Sequence, residues 1–169
     1  DLKELQELGL KILYVGCETG DSELLSLIEK GETFESSLEA LQKIKNSGIK
    51  SSVMILNGLG GPKYSQQHAL ASALLMNHAQ PEYLSTLILE FPLGSQSFEE
   101  SLKGQWREMS KLELFQEMRL LIENLNLDKT IFRSDHASNH LILKGVLGRD
   151  KSRIISEIDA AISSIEIFK

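Results

Sequence analysis

Cysteine, tryptophan and proline are scarce in this chain of 169 residues, which has one, one and three of them. The lone cysteine, Cys17, excludes an internal disulfide, and the start shows no basic-then-apolar leader, so the expectation is a reducing, cytoplasmic setting. Positive charge is also in deficit: 18 basic residues against 24 acidic leave a formal charge of -6. That balance disfavours broad attraction to nucleic-acid phosphates or to anionic lipid, so neither a nucleic acid nor a membrane is expected as partner. Long apolar runs are missing too; stretches such as LSTLILEF fall well short of the roughly 20 residues that span a bilayer. What is present, 41% apolar residues, suffices for the core of one domain at this length and argues against disorder.

The opening DLKELQELG reads as a helix already in progress, with Leu2, Leu5 and Leu8 on one face and Gly9 to end it. Without a starting methionine, this predicts that the chain begins inside a larger protein's domain. From there a pattern of strand, loop and helix recurs. Lys11 to Gly16 (KILYVG) is a buried-strand run followed by the polar turn CETGD. Asp21 suits the cap of a short helix, and Thr33 that of a second carrying Phe34, Leu38, Leu41 and Ile44 up to Gly48. Ser51 to Asn57 (SSVMILN) is the second strand, GLGGPK its loop, and Tyr64 to Ala79 its helix, with Leu70, Ala73, Leu74 and Asn77 expected to face inward.

Tyr83 to Glu90 is the third strand, and FPLGSQS its loop. Ser110 and Glu113 stand at capping-box spacing ahead of a stripe of Leu114, Phe115, Met118, Leu121, Ile122 and Leu125. A shorter fourth unit follows, with Thr130 to Arg133 as strand, SDHASNH as polar loop and HLILKG as a possible extra strand. Asp150 is expected to cap a last helix bearing Ile154, Ile155, Ile158, Ala161, Ile162 and Ile165.

Strands that alternate with amphipathic helices pair in parallel through right-handed crossovers. No G-x-G-x-x-G occurs, and each helix has a single apolar stripe with a polar back, so helices on one outer face are expected. The fold class is therefore α/β, a partial, half TIM-type barrel of four parallel β-α units, about half of the full eight. A half barrel leaves two bare sheet edges, which call for missing sequence, a second copy in a homodimer, or a covering element.

In such architectures the loops at the carboxyl ends of the strands form the site. Glu18 follows a strand directly, so its carboxylate is placed to accept hydrogen bonds from a ligand's amine or hydroxyl; the alternative is that Glu18 and Thr19 only organise the turn with Gly20. Cys17 reads as a small buried hydrophobe rather than a nucleophile, since no histidine adjoins it. Gly58, Leu59, Gly60 and Gly61 form a glycine-dense loop open to close approach by a ligand or another backbone. Lys63 does not make it a phosphate-binding loop, because no serine or threonine follows. Arg133, Ser134, Asp135, His136, Ser138 and Asn139 form the densest set of functional groups and are the candidate substrate or ligand loop. His136 and His140 have a spacing that suits metal ligands if helical, which leaves a metal-dependent hydrolase as one alternative reading. His68 and His78 fall on mostly polar helix positions and are expected to be solvated.

Taken together, LKILYVGCETGD, the strand running into GLGG, YLSTLILEFPLGS and FRSDHASNHLILKG resemble the later half of a radical S-adenosylmethionine (radical SAM) iron–sulfur oxidoreductase. The likeness extends over nearly the whole chain. It implies one domain over 1–169: core strands four to six of the family's barrel with their helices over 1–128, and an extension with a polar loop and last helix over 129–169. Glu18, in E-T-G for the family's E-S-G, would face the methionine or ribose part of S-adenosylmethionine, with Thr19 beside it. Gly58, Leu59 and Gly60 match the loop that lies against the adenine. The family's G-x-I-x-G-x-x-E is partly kept, with Met54 for its first glycine, Leu56 for isoleucine, Gly58 in place and Gly61 for the glutamate.

The resemblance also implies a [4Fe-4S] cluster held by three cysteines in C-x-x-x-C-x-x-C, which this chain lacks. The expectation is thus that cluster and S-adenosylmethionine belong to the parent protein and that none assembles on this chain alone. The missing N-terminal half of the barrel is the expected partner. A non-catalytic half-barrel module for binding or dimerisation is the further alternative.

Overall fold

The computed structural model describes residues 1–167. Seven helices and five strands run in the order α1 (Leu2–Glu7), β1 (Ile12–Glu18), α2 (Ser22–Leu27), α3 (Phe34–Asn46), β2 (Lys50–Asn57), α4 (Gly61–Ala79), β3 (Tyr83–Ile88), α5 (Gln96–Ser101), α6 (Lys111–Asn124), β4 (Ile131–Arg133), β5 (Lys144–Val146) and α7 (Leu147–Ile167). The strands form one sheet in chain order, β1-β2-β3-β4-β5. Its first four strands are parallel; β5 returns antiparallel to β4, pairing Phe132 with Gly145. The expected partial barrel of β-α units is what the chain adopts.

Local chemistry explains where the helices start. Thr33 accepts from the Ser36 amide, Asp21 from the Leu24 amide and Ser110 from the Glu113 amide, so each satisfies an amide that has no carbonyl partner in the first turn. The period-2 pattern of β2 separates two faces: Ser51, Val53, Ile55 and Asn57 are buried against helices, while Ser52, Met54 and Leu56 are only half-buried on the other side. The main core lies on the helix side and joins Val53, Ile55, Leu84 and Phe132 of the sheet to Leu41, Met76, Phe115, Met118, Ile122, Ile154 and Ile158. The opposite face is concave and open, with Tyr14 81% exposed.

Several expectations need correcting. In the opening helix Asp1 accepts from the Lys3 and Glu4 amides, while Leu5 and Leu8 are exposed rather than packed. In α4 the buried positions are Tyr64, His68, Ala69, Ser72, Ala73, Leu75, Met76 and Ala79, whereas Leu70 and Leu74 face solvent. The helix is packed between α3 and α6, so small residues face its neighbours and the leucines are left outside. The end of the FPLGSQS loop is helical instead: α5 begins at Gln96 and runs to Ser101. The last helix begins at Leu147, and Asp150 sits in its first turn, accepting from the Val146 amide at 2.8 Å. The edge near Phe132 is not bare, because β5 covers it. Among the described residues no helix is long and apolar enough to cross a membrane.

Candidate functional site

Register across the parallel strands lines up the concave face in rows. Tyr14, Ser52, Tyr83 and Ile131 form one row; Gly16, Met54, Ser85 and Arg133 form the next, nearer the carboxyl ends. Glu18 closes this face at the end of β1. Its backbone is left-handed (φ 65) and the pairing with β2 slips between Gly16 and Glu18. The slip lets the carboxylate fold back over Gly16, where a Cβ would lie 3.3 Å from Glu18 Cδ. Lys30 holds Oε1 at 3.1 Å, while Oε2 is buried and has no hydrogen-bond partner. A buried carboxylate oxygen without a donor is costly, and a ligand ammonium or hydroxyl would satisfy it.

Thr19 does not share this mouth. It is fully buried on the helix side, where its Oγ1 accepts from the Asp21 amide at 3.0 Å and meets His68 Nδ1 at 2.8 Å. Gly58 (φ 82) donates its N–H to Glu117 Oε1 at 2.7 Å, and its carbonyl accepts from Trp106 Nε1 at 3.2 Å. Leu59 is buried, and a Cβ on Gly60 would meet Tyr64 Cβ at 2.6 Å and Leu24 Cδ1 at 3.1 Å. The close approach allowed by Leu59 and Gly60 is therefore used by the chain itself. Phe91, Phe98 and Trp106 pack with ring centroids 4.9 to 5.4 Å apart in a small second core that includes Tyr64 and Leu24.

The polar segment after β4 is a folded connection. Arg133 ends its row on the concave face. Ser134 is buried, donating its amide to the Leu143 carbonyl at 2.8 Å and its hydroxyl to the Leu141 carbonyl at 3.1 Å. Asp135 pairs with Lys144 at 2.9 Å, and that hydrogen bond holds its carboxyl below the usual range. His136 Nδ1 accepts from the Ser138 amide at 3.2 Å, and Asn139 donates to the Thr86 carbonyl at 2.8 Å. Of this set only Arg133 and Asp135 line the concave groove with Tyr14 and Met54; Ser134, Ser138 and Asn139 tie the connection down. His136 and His140 gain no third ligand, since no group of three metal-binding side chains occurs among the described residues.

Sequence reasoning missed His68 and Glu117. His68 is expected to be solvated and Glu117 enters no site reading, yet they are 1% and 2% exposed and stand 3.8 Å apart between α4 and α6. A signal existed for Glu117, which falls inside the apolar stripe between Leu114 and Met118.

Two cofactors can be weighed against these residues. A [4Fe-4S] cluster needs several thiolates, but the one cysteine is buried behind the sheet with its thiol pushed up to about 12, first by burial and then by Glu18. The residues of this chain do not fit the cluster. S-adenosylmethionine is a better match, because Glu18, at the carboxyl end of β1, has a carboxylate oxygen with no hydrogen-bond partner that its ammonium or hydroxyls would satisfy.

Comparison with known proteins agrees with the resemblance read from the sequence. The model of the radical SAM superfamily matches residues 1–75, which include β1, β2, Glu18 and the glycine loop. A tRNA uridine(34) acetyltransferase of Methanocaldococcus infernus is 21% identical over 111 residues, 63% of this chain and 20% of the relative. The same enzyme of Methanocaldococcus jannaschii is 22% identical over 111 residues. The chain thus spans about a fifth of the length of these curated relatives. Among solved structures, Methanocaldococcus infernus Elp3 with an N-terminal deletion superposes with a TM-score of 0.67 at 18% identity, covering 92% of this chain and 38% of that one. Methylornithine synthase (PylB) superposes with a TM-score of 0.53 at 19% identity, over 98% of this chain and 54% of that one. At these identities the two structures speak for the fold.

Proposed function

From the premise that residues 1–75 carry a radical SAM superfamily segment, we propose that this chain is the C-terminal part of a radical SAM iron–sulfur oxidoreductase core, forming one wall of its S-adenosylmethionine pocket. The carrying observation is the Glu18 carboxylate, folded over Gly16 with Oε2 unpaired at the strand mouth. In this reading Glu18 accepts from the methionine ammonium or the ribose hydroxyls. The loop at Gly58 lies toward the adenine, and Arg133 and Asp135 face the substrate from the far end of the groove. The [4Fe-4S] cluster is held by a cysteine-bearing segment outside these 169 residues, because Cys17 cannot supply the ligands. An RNA substrate, as in the names of the archaeal relatives, gains no support from a formal charge of -6.

The test has two arms. Calorimetric titration of the longer, cysteine-bearing protein with S-adenosylmethionine should show that Glu18→Gln weakens binding about tenfold, the order expected for one charge-assisted hydrogen bond. With reductant, the chain alone should release no 5′-deoxyadenosine, while a longer protein containing the cysteine segment should. Unchanged affinity in Glu18→Gln, or turnover by the chain alone, refutes the proposal.

One observation favours a second reading. The outer edge of β1 pairs with no strand among the described residues. We assign this edge to the preceding strands of the same barrel; a homodimer through β1 is the alternative. Sedimentation at micromolar concentration separates them, since a stable dimer of the chain would favour the second.

A further inference from the structure

We propose that His68 and Glu117 are positioning residues that lock the turn after β1 to the glycine loop after β2, and so set the span between the Glu18 carboxylate and the Gly58 backbone. This deepens the reading of those two loops as the cofactor wall and rests on it.

The link runs behind the sheet. The Asp21 amide donates to Thr19 Oγ1 at 3.0 Å, and Thr19 Oγ1 lies 2.8 Å from His68 Nδ1. His68 Nε2 lies 3.8 Å from Glu117 Oε1, which accepts the Gly58 amide at 2.7 Å. Thr19, His68 and Glu117 are all at most 2% exposed. One polarity suits the line: the Thr19 hydroxyl donates to Nδ1, which leaves the ring proton on Nε2, the nitrogen 3.8 Å from the Glu117 carboxylate.

Each loop also has its own tie to one helix. Gly20 donates to Ser72 Oγ on α4 at 3.0 Å, and Asn57 donates to the Leu114 carbonyl on α6 at 3.4 Å. His68 and Glu117 are where those helices meet, so the position of one loop is passed to the other through them. A buried polar contact is a poor way to gain stability compared with apolar packing, whereas it fixes geometry because each partner needs the other. Glu117 Oε2 remains unpaired, so the pair is not optimised for stability alone.

Amide hydrogen exchange by NMR on the ¹⁵N-labelled 169-residue chain tests the coupling. His68→Leu, which does not touch Gly58, should speed exchange of the Gly58 amide about tenfold while core-strand amides such as Leu84 stay protected. Glu117→Leu should loosen the Asp21 amide on the other loop, and Glu117→Gln, which keeps an acceptor for Gly58, should restore its protection. Should either leucine variant fail to fold, His68→Gln takes its place, with faster exchange expected at the Gly58 amide. Imidazole ¹⁵N shifts should report the proton on Nε2. Loops that respond only to substitutions in their own contacts, or a proton on Nδ1, overturn the proposal. A longer, cysteine-bearing protein that binds no S-adenosylmethionine would remove the cofactor reading and leave the exchange results to decide the coupling.

Discussion

Gly20→Ala is the substitution whose cost can be worked most directly from the structure. Gly20 is buried at the turn after β1 and is not among the glycines with positive φ, so alanine suits its backbone and the cost is steric. A Cβ there would sit 2.6 Å from the Ala71 carbonyl carbon and 2.9 Å from Ser72 Cα. These are backbone atoms of α4 and cannot swing aside, so turn and helix must separate by about 1 Å to reach ordinary contact. Overpacking of this kind costs about 1–3 kcal/mol. The separation also strains the buried bond from the Gly20 amide to Ser72 Oγ, now 3.0 Å, which adds about 1 kcal/mol. The sum, about 2–4 kcal/mol, is a large share of a typical domain's stability. With a urea m-value near 2 kcal/mol/M, the unfolding midpoint followed by circular dichroism should fall by about 1–2 M. Gly31→Ala is the control: its φ is 77 with nothing within 4 Å of the added Cβ, so only about 1 kcal/mol of left-handed strain is expected. A Gly20→Ala loss no greater than that of Gly31→Ala would refute the reasoning.

Phe132, fully buried in the main core between sheet and α7, should cost about 3–5 kcal/mol when changed to alanine, measured by the same denaturation. Glu113 is held down to about 2, first by Arg107 and then by the Ser110 amide, from an ordinary value of 4.5. A lowered carboxyl contributes stability above 4.5 that is lost as pH falls toward 2, so Glu113→Gln should flatten the acid limb of the stability profile. The effect should stay within about 1 kcal/mol because the Arg107 partner is largely exposed; an unchanged acid limb would count against the pair. Burial pushes the Cys17 thiol up to about 12, so at pH 8 it should resist a disulfide reagent in the folded chain and react fully in denaturant. Rapid labelling of the native chain would contradict its position behind the sheet.

Much of the fold was legible because its signals are local. The apolar runs of β1, β2 and β3, the caps at Asp21, Thr33 and Ser110, and the stripe from Leu114 to Leu125 each follow from residues within a few positions of one another. The same holds for the place of Glu18 at the carboxyl end of β1, since the last residue of a parallel strand arrives at that end whatever packs around it. The outward leucines of α4 were not legible, because which side of a helix is buried depends on its neighbours when it lies between two others. Nor was the use of the glycine loop, whose close approaches at Gly60 are taken by Tyr64 and Leu24 rather than left to a ligand. His68 and Glu117 make the division plainest. By composition they are ordinary polar residues of two helices; they become a buried pair only when α4 and α6 meet behind the sheet, bringing together groups 49 residues apart. Periodicity and capping are written in neighbouring residues and so determine elements and strand ends; which polar groups lose their water is decided by contacts that exist only after the elements pack.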